Sequence, residues 1–217
     1  MSILQANGVA IERFTVNNPA RLQELVACYR AVFGGAPWSE WKKCAVCGSK
    51  WGVEEDIPET HCGQMPEEFW PSATVESDIR HEVTEQASCW VATTGSDVVG
   101  FCWGYPIAVS NLEQKLVLPG FAEALRAKKG NVSHVAYQDE LGVRPEFRGC
   151  GIAKAMYTAR HADFLSRGLT VGVVRTKRTP PTVTYSWFLK IGYGLVSEYN
   201  DSDDRVILAR DIVNITL

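Results

Sequence analysis

The residues best suited to bind a phosphate group lie in residues 141–153, which read LGVRPEFRGCGIA. Here Arg148, Gly149, Gly151 and Ala153 fit the pattern Arg-x-x-Gly-x-Ala, with one further glycine inside it. Small residues at this spacing let the backbone pass close to a diphosphate. A helix predicted over about Ile152–Ser166 would direct its unpaired N–H groups and positive dipole end at that anion. A strand is predicted before the loop, so the order of elements suits a phosphate site.

A second group of residues has the chemistry of metal ligands. Cys44-x-x-Cys47 is followed by the adjacent pair His61 and Cys62. Two thiolates at this spacing can bind one face of a zinc ion, and a second pair this far downstream completes a tetrahedron. We therefore predict a structural zinc site at Cys44, Cys47, His61 and Cys62, because a closed sulfur-rich site leaves no position for a substrate.

Two alternatives to this zinc site stay open. Adjacent His61 and Cys62 reach one ion only through an irregular backbone, so a fourth ligand from elsewhere is one alternative. A disulfide between Cys44 and Cys47 is the redox alternative. The surrounding segment, residues 38–65, is rich in Trp, Cys, Gly and acidic residues and has no sustained hydrophobic period, so it is predicted to be an insert.

The elements that must position these residues follow from hydrophobic period and from turn signals. An Asn18-Pro19 cap predicts a helix to about Phe33, and Thr94-Gly95-Ser96-Asp97 predicts the turn of a hairpin. A second insert, residues 106–131, is predicted to hold a helix broken at Pro119-Gly120. The other predicted elements are strands at 9–16, 132–143, 169–176, 195–199 and 205–208, a helix at 71–85, and a last helix from Pro180 or Pro181 to about Lys190.

The loop at 141–153 resembles the acetyl-CoA loop of the GCN5-related N-acetyltransferases (GNATs), and three other segments resemble that family in the same order. These are residues 88–105 (central hairpin), 173–176 (VVRT, fifth strand) and 188–193 (FLKIGY, end of the last helix). The resemblance covers about residues 9–208 apart from the two inserts. It implies an α/β fold with a mixed, mostly antiparallel twisted sheet flanked by helices. We expect one domain over residues 1–217, carrying a zinc-binding insert.

The resemblance also implies a reaction, the direct attack of a deprotonated primary amine on acetyl-CoA in a ternary complex. The implied cofactor contacts are Leu141, Val143, Arg148, Gly149, Cys150, Gly151, Ile152 and Ala153. We expect Glu140 to be the base, with Asp139 as the alternative on the opposite face of the strand. The non-catalytic alternative is that the residue is an ordinary exposed carboxylate of the strand. The family's usual tyrosine acid corresponds to Phe188, so Tyr185, three residues earlier, is the substitute candidate, a packing role being the alternative.

Composition limits the partners. The 217 residues include 22 basic and 25 acidic ones, a net charge of −3, with no basic block, so no nucleic-acid partner is predicted. The first residues lack the pattern of a secretory signal, and no apolar run would span a membrane, so no membrane partner is predicted either. An odd number of cysteines, seven, several of them in apolar segments, suggests reduced thiols and a cytoplasmic protein. A monomer or a homodimer is expected.

Three functions compete at this point. The favoured one is acetyl transfer to a small amine, an antibiotic or a metabolite, because the second insert could wall the acceptor cleft. A catalytically silent acyl-CoA-binding module is favoured by Phe188, which lacks a hydroxyl group. A protein acetyltransferase that recognises its target through the zinc insert is the third.

Overall fold

The computed structural model of the chain describes residues 4–6, 8–178, 183–199 and 204–212. The strands are β1 (Leu4–Ala6), β2 (Val9–Arg13), β3 (Lys42–Lys43), β4 (Lys50–Trp51), β5 (Glu67–Glu68), β6 (Ser88–Thr94), β7 (Asp97–Ala108), β8 (His134–Val143), β9 (Val171–Lys177), β10 (Gly194–Glu198) and β11 (Arg205–Asp211). The helices are α1 (Pro19–Gly34), α2 (Ser72–Glu82), α3 (Val109–Leu116), α4 (Phe121–Lys129), α5 (Ile152–Ser166) and α6 (Val183–Lys190), with a 3₁₀ turn at Pro145–Phe147.

Most strands belong to one sheet, whose hydrogen-bonded order is β1-β2-β6-β7-β8-β9-β11-β10, and β4-β3-β5 form a small second sheet. The pairs β1–β2, β2–β6, β9–β11 and β10–β11 are antiparallel, whereas β8 and β9 are parallel. The prediction of a mixed, mostly antiparallel sheet flanked by helices is therefore confirmed. Within the described ranges, no helix is both long enough and apolar enough to cross a bilayer.

The chain divides into two compact units, and the first comprises Met1–Glu85, Cys89–Cys102 and Leu141–Met156. In it, α1 begins as predicted, with Pro19 in the first turn and the Asn18 side chain accepting a hydrogen bond from the Arg21 N–H at 3.1 Å. The buried face of α1 meets the sheet through Tyr29, whose ring stacks on that of Phe101 at a centroid distance of 5.5 Å.

The second unit comprises Gln86–Ser88, Trp103–Glu140 and Tyr157–Leu217. Its main core is formed by α3 and α4 with residues of the adjoining strands, among them Leu112, Phe121, Tyr137 and Ile207. The helix break predicted at Pro119-Gly120 is confirmed, and Gly120 has a φ of +85°, which suits glycine. The second insert therefore covers an apolar sheet face, because its two helices bury Leu112 and Phe121 completely.

Several predicted boundaries differ from those in the structure. The strand expected at 9–16 ends at Arg13, and the one expected to start at 132 starts at His134. The first insert, in which no sustained hydrophobic period was found, contains β3 and β4, whose two-residue lengths carry no detectable period. The predicted start of the last helix at Pro180 or Pro181 lies outside the described residues, and its predicted end at Lys190 is confirmed.

Candidate functional site

In the first unit, the loop between β8 and α5 has the backbone that a phosphate site requires. Gly149 and Gly151 both have a φ of +78°, a conformation that residues with a Cβ adopt only under strain. A Cβ added at either glycine would meet no atom within 4 Å. Backbone conformation therefore demands glycine here, and the space beside both residues is open to a ligand.

The helix that follows this loop starts where the sequence predicted. α5 begins at Ile152, and its first turn is closed by the Ala155 N–H donating to the Gly151 carbonyl at 3.0 Å. The N–H groups of a first helical turn have no acceptor within the helix and carry the positive end of its dipole. Residues 149–153 can therefore present donors to an anion such as a diphosphate.

Arg148 connects the loop to neighbouring backbone. Its Nε donates to the Val143 carbonyl at 3.0 Å, and its Nη1 donates to the Ala36 carbonyl at 3.2 Å. The side chain thus ties the end of β8 to the segment that follows α1. The Cys150 thiol is exposed and lies 3.7 Å from the Arg148 carbonyl, which fits a small loop residue.

Gly142, predicted with Val143 to supply the N–H for the thioester oxygen, also has a packing role that the sequence did not predict. A Cβ at Gly142 would lie 2.5 Å from the Phe101 ring and 2.9 Å from a Val32 methyl group. Only glycine therefore allows this part of β8 to pack so closely. The signal was present as a glycine inside a strand, which often marks a close approach.

In the second unit, the two candidate carboxylates have different surroundings. Asp139 accepts a hydrogen bond from the Tyr105 hydroxyl at 2.6 Å and lies 3.3 Å from Lys115 Nζ, with its side chain only 6% exposed. Burial, together with this carboxylate, raises the pKa of Tyr137 well above its usual value. Glu140 is half-buried, and its backbone carbonyl accepts from Arg160 Nη1 at 2.7 Å.

Arg160, which sequence analysis missed, is completely buried beneath this strand. Besides the Glu140 carbonyl, its guanidinium donates to the Trp103 carbonyl at 2.7 Å and to Gln138 Oε1 at 2.8 Å. Its Nε has no hydrogen-bond partner among the described residues. An arginine on the buried face of α5, which otherwise holds apolar residues and His161, was the available signal, since a charged residue is rarely fully buried without partners.

Gln138 extends this network at the end of the β8–β9 pairing. Within the described strands, the parallel register joins Ala136 to Gly172 and Tyr137 to Val173. One residue further along β8, Gln138 Nε2 donates to the Tyr193 hydroxyl. A Cβ on Gly172 would lie 2.9 Å from that Nε2, so glycine makes room for the amide where the register ends.

Tyr185, the candidate acid, lies on α6 beside an apolar cluster. Phe188 is 1% exposed within that cluster and packs against Tyr157 and Tyr193. The half-buried Tyr185 packs against the same cluster. These contacts account for Phe188 as a core residue, and a catalytic role for Tyr185 stays a prediction.

The predicted metal ligands lie together in the first unit. The ligand atoms of Cys44, Cys47, His61 and Cys62 are all within 4.8 Å of one another. The irregular backbone that the adjacent pair requires is present, since Cys62 has a φ of +51° in a tight turn closed by hydrogen bonds between His61 and Gln64. No fourth ligand from elsewhere is needed to make a set of four.

The thiols of this cluster influence each other's protonation. Hydrogen bonds from Ser49, first through its hydroxyl group, lower the pKa of Cys47 to about 6. The hydrogen bond between Cys62 and Cys47 is the main cause that raises the pKa of Cys62 to about 11. Without a metal ion, the hydrogen bonds of the cluster therefore favour a Cys47 thiolate next to a protonated Cys62 thiol.

The mixed sheet, together with the glycine-paired loop before α5, defines a GNAT-type acetyltransferase fold. The model of the Acetyltransferase (GNAT) family matches residues 54–179, more than half of the 217-residue chain. The chain therefore belongs to the GNAT family, which confirms the resemblance seen in its motifs. A search of curated proteins finds no match.

Solved structures show the same fold. An aminoglycoside 6′-acetyltransferase type Ii matches with a TM-score of 0.57 at 13% identity, over 94% of this chain and 98% of that one. Ard1 from Thermoplasma volcanium matches with a TM-score of 0.56 at 14% identity, over 95% and 99%. The PaiA N-acetyltransferase from Thermoplasma acidophilum, solved with coenzyme A, matches with a TM-score of 0.53 at 15% identity, over 94% and 98%.

Proposed function

We propose that this protein transfers the acetyl group of acetyl-CoA to the primary amine of a small molecule, an antibiotic or a metabolite. The observation that carries the proposal is the loop at 149–153, with two positive-φ glycines, open space beside them and a helix N-terminus behind them. Membership of the GNAT family supports acetyl-CoA as the donor.

In this proposal, the loop residues Arg148, Gly149, Cys150, Gly151, Ile152 and Ala153 hold the diphosphate of the cofactor. Backbone groups of Leu141 and Val143 hold the pantetheine arm, and an N–H near Gly142 or Val143 stabilises the oxyanion. The amine nitrogen attacks the thioester carbon, the C–S bond breaks, the nitrogen releases its surplus proton to solvent, and an amide and a thiolate form.

Two further proton transfers complete this reaction. The substrate ammonium must lose a proton before attack, and we assign its removal to Glu140, directly or through a water molecule. Asp139 is the weaker candidate because its carboxylate is engaged by Tyr105 and Lys115. The departing thiolate must gain a proton, and we assign its delivery to Tyr185, in place of the hydroxyl group that Phe188 lacks.

The acceptor class is the least constrained part of the proposal. Relatives in fold include an aminoglycoside acetyltransferase and a ribosomal-protein-S18-alanine acetyltransferase, so fold does not choose between small molecules and proteins. The mild negative charge of the chain, −3, is compatible with a cationic amine. We also propose that the protein is cytoplasmic, that it is a monomer or a homodimer, and that it has no nucleic-acid or membrane partner.

The proposal is tested by measuring melting temperature with acetyl-CoA and other acyl-CoAs, followed by turnover with aminoglycosides, polyamines and peptides. Product should be quantified by mass spectrometry, because exposed Cys47, Cys62 and Cys150 would react with thiol reagents. A shift with acetyl-CoA and one acetylated small amine is expected. Stabilisation without turnover would instead favour the silent binding module, and acetylation of peptides alone would favour the protein acetyltransferase. We also propose that Cys44, Cys47, His61 and Cys62 bind Zn²⁺.

A further inference from the structure

We propose that Cys44, Cys47, His61 and Cys62 bind one structural Zn²⁺. The insert at residues 38–65, ordered by this metal, then supports the loop at residues 148–153, here called the cofactor loop, through Arg148. The first part is independent of the enzymatic function. The second part rests on the proposed function, because it concerns the affinity for acetyl-CoA.

The donor set and its spacing fit a single zinc ion. Three sulfurs and one imidazole form a Cys₃His set, one of the closed tetrahedral sets of structural zinc sites. Zinc–sulfur bonds of about 2.3 Å and zinc–nitrogen bonds of about 2.0 Å place tetrahedral ligand atoms about 3.5–3.8 Å apart. The four ligand atoms here lie within 4.8 Å of one another, so modest side-chain rotation completes the shell.

The backbone on both sides of the cluster is already shaped to present these ligands. In the first turn, the Cys44 N–H donates to the Ser49 carbonyl at 2.9 Å, and the Gly48 N–H donates to the Cys44 carbonyl at 3.0 Å. In the second turn, Cys62 adopts a φ of +51°, a left-handed conformation that is strained for a residue with a Cβ. A metal bond at Cys62 offsets that strain.

The insert has no apolar core that could hold it together. Between residues 38 and 65, all of which are described, the buried positions are Cys44 and Gly52. Three of its apolar side chains are exposed, Val46 by 59%, Val53 by 53% and Met65 by 79%, and its tryptophans are only half-buried. A segment of this size with so little buried apolar area needs a cross-link to fold. Its one buried side chain, Cys44, is a proposed metal ligand, so a metal ion is the cross-link that we infer.

The insert docks on the end of α1 within the same unit. Trp41 covers Gly34, where an added Cβ would lie 3.0 Å from the Trp41 ring. The Val53 N–H donates to the Gly34 carbonyl at 2.8 Å, and the Arg30 guanidinium lies 5.1 Å from the centre of the Trp41 ring. These contacts fix the backbone at Gly34 from the insert side.

Two residues further on, the same backbone meets the cofactor loop. The Ala36 carbonyl accepts the hydrogen bond from Arg148 Nη1, while Arg148 Nε binds the Val143 carbonyl. Disorder in the insert would release Ala36 and with it one of the two backbone carbonyls that hold Arg148. We therefore expect the zinc-free protein to bind acetyl-CoA about tenfold more weakly, although the metal touches no cofactor atom.

The metal is tested on the wild-type protein, purified without chelators or a histidine tag, by elemental analysis and native mass spectrometry. One equivalent of zinc is expected, falling below about a tenth in Cys44→Ser and His61→Asn. His81→Asn, an exposed helical histidine, and Cys150→Ser are the matched controls and should keep the metal. A wild-type protein without zinc, one with iron in its place, or one whose intact mass shows a Cys44–Cys47 disulfide would overturn the assignment.

The coupling is tested by calorimetric titration of acetyl-CoA into the zinc-loaded and chelator-treated wild-type protein, with circular dichroism to verify that the fold persists. Weaker binding after zinc removal, restored by adding zinc, is expected. Equal affinities would overturn the coupling. No binding by either form would count against the proposed function, while the metal content would still decide the zinc site.

Discussion

At the scale of single residues, the paired glycines of the cofactor loop can be tested against a matched glycine elsewhere. Gly151 and Gly168 lie at opposite ends of α5, with φ values of +78° and +75°, and a Cβ on either meets nothing within 4 Å. Replacement by alanine should therefore cost about 1 kcal/mol of stability at both positions. Only Gly151→Ala should also weaken acetyl-CoA binding, by tenfold or more, because its methyl group occupies the space of the diphosphate.

This comparison is made by isothermal titration and urea unfolding on both variants. Equal acetyl-CoA affinities for Gly151→Ala and Gly168→Ala would show that the loop does not hold the cofactor. A larger loss of stability in Gly151→Ala than in Gly168→Ala would show that the methyl group at position 151 collides with other atoms, which contradicts the open space beside Gly151.

The two neighbouring carboxylates also make different predictions. Glu140→Gln should lower kcat about 100-fold or more while KM for acetyl-CoA stays within a factor of about three, because a general base acts only on the amine proton. Asp139→Asn should instead lower the free energy of unfolding by about 1–3 kcal/mol, because the buried Asp139 holds Tyr105 and Lys115. Steady-state kinetics and urea unfolding of both variants separate the roles, and an exchange of the two outcomes would make Asp139 the base.

Residue types and spacing were sufficient to predict the glycine-paired loop before α5 and the proximity of Cys44, Cys47, His61 and Cys62, whereas their ligands stay predictions. Both features are local in sequence, because the glycines meet the backbone requirements of a turn before a helix and Cys-x-x-Cys is a pattern of four residues. Arg160 and the packing role of Gly142 could not be assigned in this way, since they depend on residues distant in sequence. Arg160 serves carbonyl groups of Trp103 and Glu140, and Gly142 makes room for Phe101.

At the scale of elements, the end of the β8–β9 pairing is held by a buried polar network. Arg160 donates to Gln138, Gln138 donates to Tyr193, and the Tyr193 hydroxyl lies 3.2 Å from that of Tyr157. A buried network of this kind keeps one arrangement because each partner lost leaves another polar group unsatisfied. The carbonyl of Glu140 is part of it, so the network also positions the backbone of the candidate base.

The network predicts a loss of stability at alkaline pH. Burial, and next the proximity of Tyr157, raises the pKa of Tyr193 well above its ordinary value of about 10. The unfolded chain releases this proton from about pH 10 upward while the folded protein retains it, so the free energy of unfolding falls as the pH rises. One such tyrosine contributes a slope of about 1.4 kcal/mol per pH unit.

Tyr193→Phe should therefore flatten the decline above pH 10 by about that slope. It should leave the shape of the curve between pH 7 and 9 unchanged, where tyrosine does not titrate. Urea unfolding at a series of pH values gives both slopes. An unchanged slope above pH 10 would mean that Tyr193 ionises in the folded protein as readily as in the unfolded chain.

Elements with strong local signals were predicted well, and those without them were not. The Asn18-Pro19 cap gave the start of α1, and α5 was predicted at its observed bounds, Ile152–Ser166. The strands β3, β4 and β5 have two residues each and are paired through contacts distant in sequence, as Lys42 is with both Trp51 and Glu68. No period can develop over two residues, so neither the small sheet nor its order could be derived from the sequence.

At the scale of the whole molecule, both compact units bury apolar side chains, but the first also carries a segment whose apolar side chains are not fully buried. The second unit has an extended apolar core in which α3 and α4 cover the sheet. The first unit carries the insert at 38–65, whose buried side chain is Cys44, one of the four proposed metal ligands. Removal of zinc should therefore act on the first unit, through α1 and the residues that follow it.

This difference makes the response to a chelator informative. A strong chelator should lower the melting temperature of the wild-type protein by on the order of 10 °C, because the loss of about 3 kcal/mol shifts the melting of a chain of this size by about 6–12 °C. The Cys44→Ser variant, which lacks the metal from the start, should melt at the lower temperature and show no further change with chelator. Differential scanning calorimetry with and without chelator measures both effects, and excess zinc should reverse only the first. A wild-type melting temperature insensitive to chelator, in protein shown to have lost its zinc, would mean that the insert is held by contacts other than the metal.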